Sequence, residues 1–145
     1  MDEKEFDFLK HHSDRFLEMA FRTDRDERLY NPDAYGENTG ECGDSIEIFL
    51  TIRDDVITHV SLGIHGCINT RACGNMLAEL IENKRVSHAW AIRPDHLADA
   101  LQTLPDESFH CAELAAGALY QALARYRTID QNSWKKNYMS RNIKH

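Results

Sequence analysis

The sequence predicts a fold that combines α-helices with one antiparallel β-hairpin in a single domain spanning residues 1–145. Apolar residues alternate over 46–52, and a second β-rich run covers 57–64, with the acidic pair Asp54-Asp55 between them. This pattern is typical of two strands joined by a tight turn. Before and after the hairpin, apolar residues recur at helical spacing. A chain of this length can bury a core without a metal ion, so a metal site would serve function rather than folding.

An amphipathic helix is predicted near the N-terminus, within residues 1–29, because an apolar stripe runs over residues 4–28 with charges between its members. We expect it to end near Tyr30, since Pro32 disfavours the helical conformation in the residue before it. The following segment, 31–44, is dense in turn-forming residues and is predicted to be an exposed loop that leads to the first strand.

Helical segments are predicted after the hairpin at residues 69–83, 88–92, 95–104 and 110–127. Pro94 can open the third of these, and Pro105 closes it. The fourth begins at His110 or Cys111. The basic segment 130–145 is predicted to be a tail, frayed or partly docked on the domain.

The composition limits the classes of function. The chain has 17 basic and 24 acidic residues and a formal net charge of −7, which argues against a nucleic-acid partner held by phosphate neutralisation. Neither a signal-type apolar run nor an apolar stretch of membrane-spanning length is seen in the sequence. We therefore expect a soluble cytoplasmic protein whose four cysteines are thiols or metal ligands rather than disulfides.

Three cysteines fall at junctions between predicted elements: Cys42 before the first strand, Cys67 between a strand and a helix, and Cys111 at a helix start. Junction loops at one end of a sheet can converge, and helix N-termini favour the thiolate form. Asp44 and His110 are the adjacent non-sulfur donors. Three thiolates with one oxygen or nitrogen donor suit either tetrahedral zinc or an iron–sulfur cluster, and the residues alone do not separate the two.

Each of these residues also has a plain structural interpretation. Cys42 or Cys111 alone could be a buried small apolar residue, Asp44 could form an Asx-turn, and His110 could cap a helix. The fourth cysteine, Cys73, opens the apolar stripe of the helix predicted over 69–83 and is therefore predicted to be a core residue.

Several motifs together resemble a known family, the U-type iron–sulfur cluster assembly scaffolds, which comprise the IscU-like proteins and the N-terminal domain of NifU. The shared features are "YNPDAYGE", "CGD", the hairpin, "GC" with the helix after it, "LP" followed by "HC", and a last helix to about Tyr126. The order and spacing of the three cysteines are close to the family pattern. The resemblance implies an α+β fold in which a small antiparallel sheet packs against several helices, with the cysteine loops gathered at one end.

The resemblance also implies a function, that of a scaffold and carrier rather than an enzyme. Such a protein accepts sulfur from a cysteine desulfurase, assembles a labile [2Fe-2S] cluster with iron and transfers it to apo-proteins. By position, Cys42, Cys67 and Cys111 would be cluster ligands and sulfur acceptors, and Asp44 and His110 would compete for the remaining ligand role. The same residues would hold Zn²⁺ when no cluster is bound.

One family motif is absent, and two other functions stay open. The "LPPVK" sequence that a specialised Hsp70-type chaperone recognises is replaced by "LPDES" at 104–108, so chaperone-assisted release is not carried over. The main alternative is a zinc-dependent, SufU-like sulfurtransferase in which Cys111 accepts persulfide sulfur. That branch usually has a long insertion before its third cysteine and lacks the histidine that precedes it here. A structural zinc module is a weaker alternative, because this domain should fold without metal.

Overall fold

The computed structural model describes the backbone of residues 9–143 and the side chains of residues 9–127. The strands are β1 (Ala34–Thr39), β2 (Ser45–Arg53) and β3 (Val56–His65). The helices are α1 (Asp14–Phe21), α2 (Ile68–Ile81), α3 (Val86–Trp90), α4 (Pro94–Leu101) and α5 (Phe109–Ile143), and a 3₁₀ turn covers Asp106–Ser108. The α+β class is confirmed: one antiparallel sheet in the order β1-β2-β3 packs against helices. Within the described backbone, none of the helices has both the length and the apolar character that a membrane span needs.

The predicted hairpin is confirmed as β2 and β3. The strands pair antiparallel from Ser45 opposite His65 to Arg53 opposite Val56. Asp54 and Asp55 have φ values of 52° and 63°, so both central residues of the turn are left-handed, as in the primed turns that match the twist of two-residue hairpins. The turn therefore lies at one end of the hairpin, and the Ser45–His65 pair at the other.

The predicted loop over 31–44 is wrong, because its middle part forms the edge strand β1. The inward positions of β1 are Ala34 and Gly36, which carry too little apolar surface to show a strand pattern in the sequence. The strand packs directly on α5: a Cβ on Gly36 would lie 2.1 Å from the carbonyl oxygen of Ala118 and 2.6 Å from the nitrogen of Ala122. Glycine is therefore required where β1 approaches the helix backbone.

The predicted N-terminal helix over 4–28 is also wrong in the part that the structure describes; residues 1–8 lie outside it. The backbone is helical at 9–11, breaks, and becomes helical again in α1. Ser13 causes the restart, since its Oγ accepts a hydrogen bond from the Phe16 N–H at 3.0 Å as an N-cap. The same hydroxyl donates to the Leu101 carbonyl at 2.7 Å, which ties the break to the end of α4.

After α1 the chain is held along the sheet instead of continuing as a helix. The carbonyl of Arg25 accepts a hydrogen bond from the Leu62 N–H of β3 at 2.8 Å. The Arg25 guanidinium is only 6% exposed and donates to Glu82 at 2.6 Å. These tertiary contacts outweigh the helical pattern of the sequence beyond Phe21.

The predicted helices after the hairpin are present, with differences at their ends. α4 ends at Leu101 rather than at residue 104, because Gln102 adopts a left-handed φ of 69°. α5 begins at Phe109, one residue before the predicted start at His110 or Cys111, and continues past the predicted end at Arg127 to Ile143. Whether the predicted basic tail docks through its side chains lies outside the described residues.

The hydrophobic core lies between the sheet and the helices α1, α2, α4 and α5. Its largest fully buried side chains are Phe16, Met19, Ile46, Ile48, Leu50, Ile57, Leu62, Leu77, Ile81, Leu97, Leu101 and Leu119. Cys73 belongs to this core and is 0% exposed, so the prediction drawn from the helical stripe is confirmed. Of the other three cysteines, Cys42 and Cys67 are exposed, whereas Cys111 is buried in the same core.

Candidate metal centre

The open end of the hairpin brings Asp44 and Cys67 together. Ser45 pairs with His65, so the residues just beyond this pair, Asp44 on one side and Gly66-Cys67 on the other, emerge next to each other. A Cβ on Gly66 would lie 2.7 Å from the carboxyl carbon of Asp44. The glycine therefore allows the Asp44 side chain to lie against the backbone immediately before Cys67.

The donor atoms of Asp44, Cys67 and Cys111 all lie within 4.8 Å of one another. Cys67 is the N-cap residue of α2, and Cys111 lies in the first turn of α5. The predicted convergence of junction loops at one end of the sheet is thus observed for two of the three cysteines and the aspartate. Two sulfur donors and one carboxylate are a donor set that suits zinc and iron.

Cys111 is the buried member of the group, at 1% exposure, and Cys67 is exposed. Burial raises the pKa of the Cys111 thiol, and the neighbouring Cys67, Asp44 and Cys42 raise it further, against an opposing hydrogen bond with Thr70. In the absence of a cation, Cys111 is therefore a protonated thiol near neutral pH. A bound metal ion would replace that proton.

His110 lies beside the group, with Nε2 3.6 Å from the Cys111 sulfur. Its Nδ1 faces the Glu107 carbonyl oxygen at 3.0 Å. Because a carbonyl only accepts hydrogen bonds, Nδ1 carries a proton, and in the neutral imidazole Nε2 is the nitrogen with the lone pair. An imidazole fixed in this way by a backbone carbonyl is in the tautomer that metal-ligating histidines use.

Cys42 is exposed and lies at the edge of the site. Its thiol is near enough to help lower the pKa of the Asp44 carboxyl, although its sulfur is not part of the three-atom group. Cys42 and His110 line the same surface groove of about 460 Å³, together with Glu41 and Glu113. Cys42 therefore lies near Asp44 at the edge of the centre and is exposed to solvent.

Thr70 is a site residue that the sequence analysis missed. It is 0% exposed, and its Oγ1 lies 2.7 Å from Asp44 Oδ2, 3.5 Å from the Cys111 sulfur and 3.7 Å from the Cys67 sulfur. The one available signal was a polar residue in the first turn of a helix, which also fits an ordinary capping or solvent-facing role. Only the tertiary structure shows that its hydroxyl contacts three candidate ligands.

Several neighbours stabilise the ionised form of Asp44. The Thr70 hydroxyl is the main cause that holds the pKa of Asp44 below its ordinary value. The backbone N–H and thiol of Cys67 and the thiol of Cys42 lower this pKa further, against partial desolvation. The carboxylate is consequently ionised near neutral pH and contributes the negative charge that a cation would bind.

The different environments of the four cysteines predict different rates of alkylation. In the folded, metal-free protein, Cys42 and Cys67 should react with iodoacetamide first, because both are exposed. Cys111 should react slowly and Cys73 slowest, since burial raises the pKa of each thiol and blocks access to it. Peptide mass spectrometry over time measures these rates, and in denaturant the difference should vanish. Equal rates for Cys67 and Cys111 in the folded protein would contradict this description of the site.

Comparison with known proteins identifies the family of the chain and several relatives. Residues 26–133 match the NifU-like N-terminal domain family. Over 85 residues the chain is 34% identical to the iron–sulfur cluster assembly scaffold protein IscU 1 of Archaeoglobus fulgidus, a match that covers 59% of this chain and 56% of the relative. The IscU scaffold protein of Escherichia coli is 28% identical over 88 residues, covering 60% and 68%. The chain thus spans little more than half the length of the archaeal relative.

Solved structures show the same fold. A NifU-like N-terminal protein of Brucella abortus superposes with a TM-score of 0.68 at 18% identity, covering 80% of this chain and 94% of that one. A SUF-system scaffold candidate of Fervidobacterium islandicum gives 0.65 at 17% identity, covering 79% and 97%. These identities are low, so the two structures support the fold alone.

Proposed function

The chain belongs to the NifU-like N-terminal domain family, and from that premise we propose that it is a scaffold for iron–sulfur cluster assembly. In this proposal it accepts sulfur from a cysteine desulfurase, assembles a labile [2Fe-2S] cluster with iron, and transfers the cluster to apo-proteins. The observation that carries the proposal is the convergence of the Asp44, Cys67 and Cys111 donor atoms within 4.8 Å at the open end of the hairpin.

Sulfur acceptance would begin at an exposed thiolate. Cys42 and Cys67 present their thiols to solvent, whereas Cys111 at 1% exposure needs a local opening before a donor can reach it. A thiolate attacks the outer sulfur of the donor's persulfide, forms a new S–S bond and releases the donor's cysteine thiolate. Reduction of that sulfur to sulfide breaks the S–S bond and takes two electrons, one from a ferrous ion that becomes ferric and one from an external reductant, so that two such events give an oxidised [2Fe-2S] cluster.

The cluster is cargo, and the mixed donor set is suited to releasing it. Thiolates of Cys42, Cys67 and Cys111 are soft ligands that iron–sulfur clusters prefer. Asp44 supplies a hard carboxylate and His110 an imidazole, either of which would complete the ligand set. A harder ligand among thiolates is a weaker position that a client's cysteine can displace, which favours transfer over storage.

The alternative is a zinc-dependent, SufU-like sulfurtransferase at the same residues. The donor group of Asp44, Cys67 and Cys111 would also fit tetrahedral zinc with one further ligand. The presence of His110 directly before the third cysteine favours the scaffold, because the SufU-like branch lacks this histidine, and its Nε2 lies beside the Cys111 sulfur. Zinc would then be an occupant of the cluster-free protein.

A transfer assay tests the carrier function. The protein is loaded anaerobically, separated from free iron and sulfide, and mixed with an apo-ferredoxin in the presence of a chelator that competes for free iron. A scaffold is expected to convert the apo-ferredoxin at a rate that the chelator does not change. Transfer that the chelator abolishes, or the absence of any transfer, would contradict the proposed function.

The proposed partners follow from this role: a cysteine desulfurase and apo-forms of iron–sulfur proteins in the cytoplasm. The net charge of −7 gives no support to a nucleic-acid partner. The "LPDES" segment forms the 3₁₀ turn and the lead-in to α5, so it acts here in placing His110 and Cys111.

A further inference from the structure

The Thr70 hydroxyl occupies the middle of the candidate metal centre. It is completely buried, and it lies within 3.7 Å of donor atoms from Asp44, Cys67 and Cys111. Asp44 is 26 positions away from Thr70 in the sequence, and Cys111 is 41 positions away. A threonine that merely satisfies its own helix would bond to a carbonyl one turn earlier, so these long-range contacts point to a role in the site.

The number of protons on the hydroxyl fixes the direction of these contacts. Thr70 has one proton and two lone pairs. The 2.7 Å contact with the ionised Asp44 carboxylate is the shortest of the three and is a charge-assisted bond, so the proton points to Asp44 Oδ2. The two sulfur atoms lie farther from the same oxygen, at 3.5 Å for Cys111 and 3.7 Å for Cys67. The hydroxyl is thus bonded most directly to the carboxylate and lies beside both thiols.

The neighbours of Thr70 fix its position relative to the rest of the site. Asn69 donates from Nδ2 to the Ser108 hydroxyl at 3.0 Å, which ties the start of α2 to the turn that precedes Cys111. Arg71 donates to the Asp26 carboxylate at 2.8 Å on the other side of the helix. Three consecutive residues therefore hold three different segments, and Thr70 is the one that holds Asp44.

We infer that Thr70 is a positioning residue for metal binding: its hydroxyl holds the Asp44 carboxylate where this group and the thiols of Cys67 and Cys111 can bind one cation. The inference rests on the proposed use of these three residues as ligands. Without the hydroxyl, the carboxylate would lose the donor that fixes its orientation, while the thiols would stay on their helices. The effect should therefore be specific to the carboxylate.

Cobalt(II) binding under anaerobic, reducing conditions tests this inference. Thr70→Val keeps the shape of the side chain and removes the hydroxyl, and it should weaken Co²⁺ binding by about tenfold or more, as loss of an outer hydrogen-bond partner of a metal ligand does. The visible ligand-field bands should shift, because the Asp44 carboxylate is no longer held in position as the oxygen donor. The intensity of the sulfur-to-cobalt charge-transfer bands should stay unchanged. Thr70→Ser keeps the hydroxyl and should retain the Co²⁺ affinity and the ligand-field bands of the original protein. Thr58→Val is the control, since the Thr58 hydroxyl bonds to the Thr51 carbonyl near the turn end of the hairpin, at the opposite end from the site.

A double-mutant cycle with Asp44→Ala separates positioning from general stability. If Thr70 acts through the carboxylate, Thr70→Val should cost less than about twofold in Co²⁺ affinity once Asp44 is absent, because coupled residues are not additive. A full tenfold loss in the Asp44→Ala background, or no difference between Thr70→Val and Thr58→Val, would overturn the inference. Thr70→Ala serves the same cycle if the valine variant does not fold.

This test does not depend on cluster assembly. A protein that binds Co²⁺ with the expected coupling but never forms a cluster would contradict the proposed function and leave the role of Thr70 supported. The opposite result is also distinguishable. If the original protein assembles clusters normally but Thr70→Val binds Co²⁺ as tightly as Thr58→Val, the role of Thr70 is contradicted and the proposed function stays supported.

Discussion

Cys67→Ala is expected to abolish cluster assembly while leaving the fold intact. The side chain is exposed at the N-cap of α2, so its truncation removes little packing. It removes a sulfur from the group in which the donor atoms of Asp44, Cys67 and Cys111 lie within 4.8 Å. The affinity for a metal ion should fall by more than the roughly 10–100-fold that loss of an outer partner costs. Co²⁺ titration measures the loss of metal affinity, and anaerobic reconstitution measures the loss of cluster assembly.

Cys73→Ala is the matched control, because the same atoms are removed six positions further along the same helix. Cys73 is fully buried and lies in the core, so we expect a stability loss of about 1 kcal/mol with cluster formation retained. Cys67→Ala should thus lose metal binding and keep its stability, whereas Cys73→Ala should lose stability and keep metal binding. Equal loss of cluster formation from both would show that Cys73 is a ligand and that its assignment to the core alone is wrong.

Gly36→Ala is expected to produce the largest loss of stability among single-methyl additions in the sheet. The new Cβ would lie 2.1 Å from the Ala118 carbonyl oxygen and 2.6 Å from the Ala122 nitrogen, and both are backbone atoms of α5 that cannot rotate away. Strand β1 would have to move off the helix, at a cost of about 3 kcal/mol or more. Chemical denaturation monitored by circular dichroism measures the change in the free energy of unfolding.

Gly40→Ala is the control for this prediction. A Cβ on Gly40 meets its nearest atom, the Cys42 sulfur, at 3.7 Å, which is ordinary van der Waals contact. This variant should unfold within about 0.5 kcal/mol of the original protein, like most substitutions that meet no clash. If Gly36→Ala is as stable as Gly40→Ala, β1 does not pack on α5 as described.

The sequence predicted the elements whose apolar spacing is regular. The hairpin and α2 were visible because Ile46, Ile48, Leu50 and Ile52 alternate and because Met76, Leu77 and Ile81 follow a helical stripe. β1 was not predicted, since its inward side is Ala34 and Gly36 and its fit depends on the backbone of α5. The predicted N-terminal helix is too long, because the contacts that interrupt and end it are tertiary. Ser13 bonds to the end of α4, and Arg25 bonds to β3 and Glu82.

The site could be predicted only in part, for a similar reason. The positions of Asp44, Cys67 and Cys111 at junctions between elements predict that these residues converge, and the structure brings their donor atoms together. The ligand roles of all five residues, Asp44, Cys67, Cys111, Cys42 and His110, stay predictions. Thr70 had no signature, because its importance comes from contacts across 26 and 41 positions rather than from its neighbours in the chain.

The most direct test of the scaffold assignment is anaerobic incubation of the reduced protein with ferrous iron, cysteine and a desulfurase, followed by visible absorption and by analysis of iron, acid-labile sulfide and zinc. The proposal predicts the absorption of a [2Fe-2S] cluster, with iron and sulfide in equal amounts, in the original protein and in Cys73→Ala but not in Cys67→Ala. Absence of any iron–sulfur chromophore, with zinc held tightly and persulfide on a cysteine, would contradict the scaffold and support the sulfurtransferase.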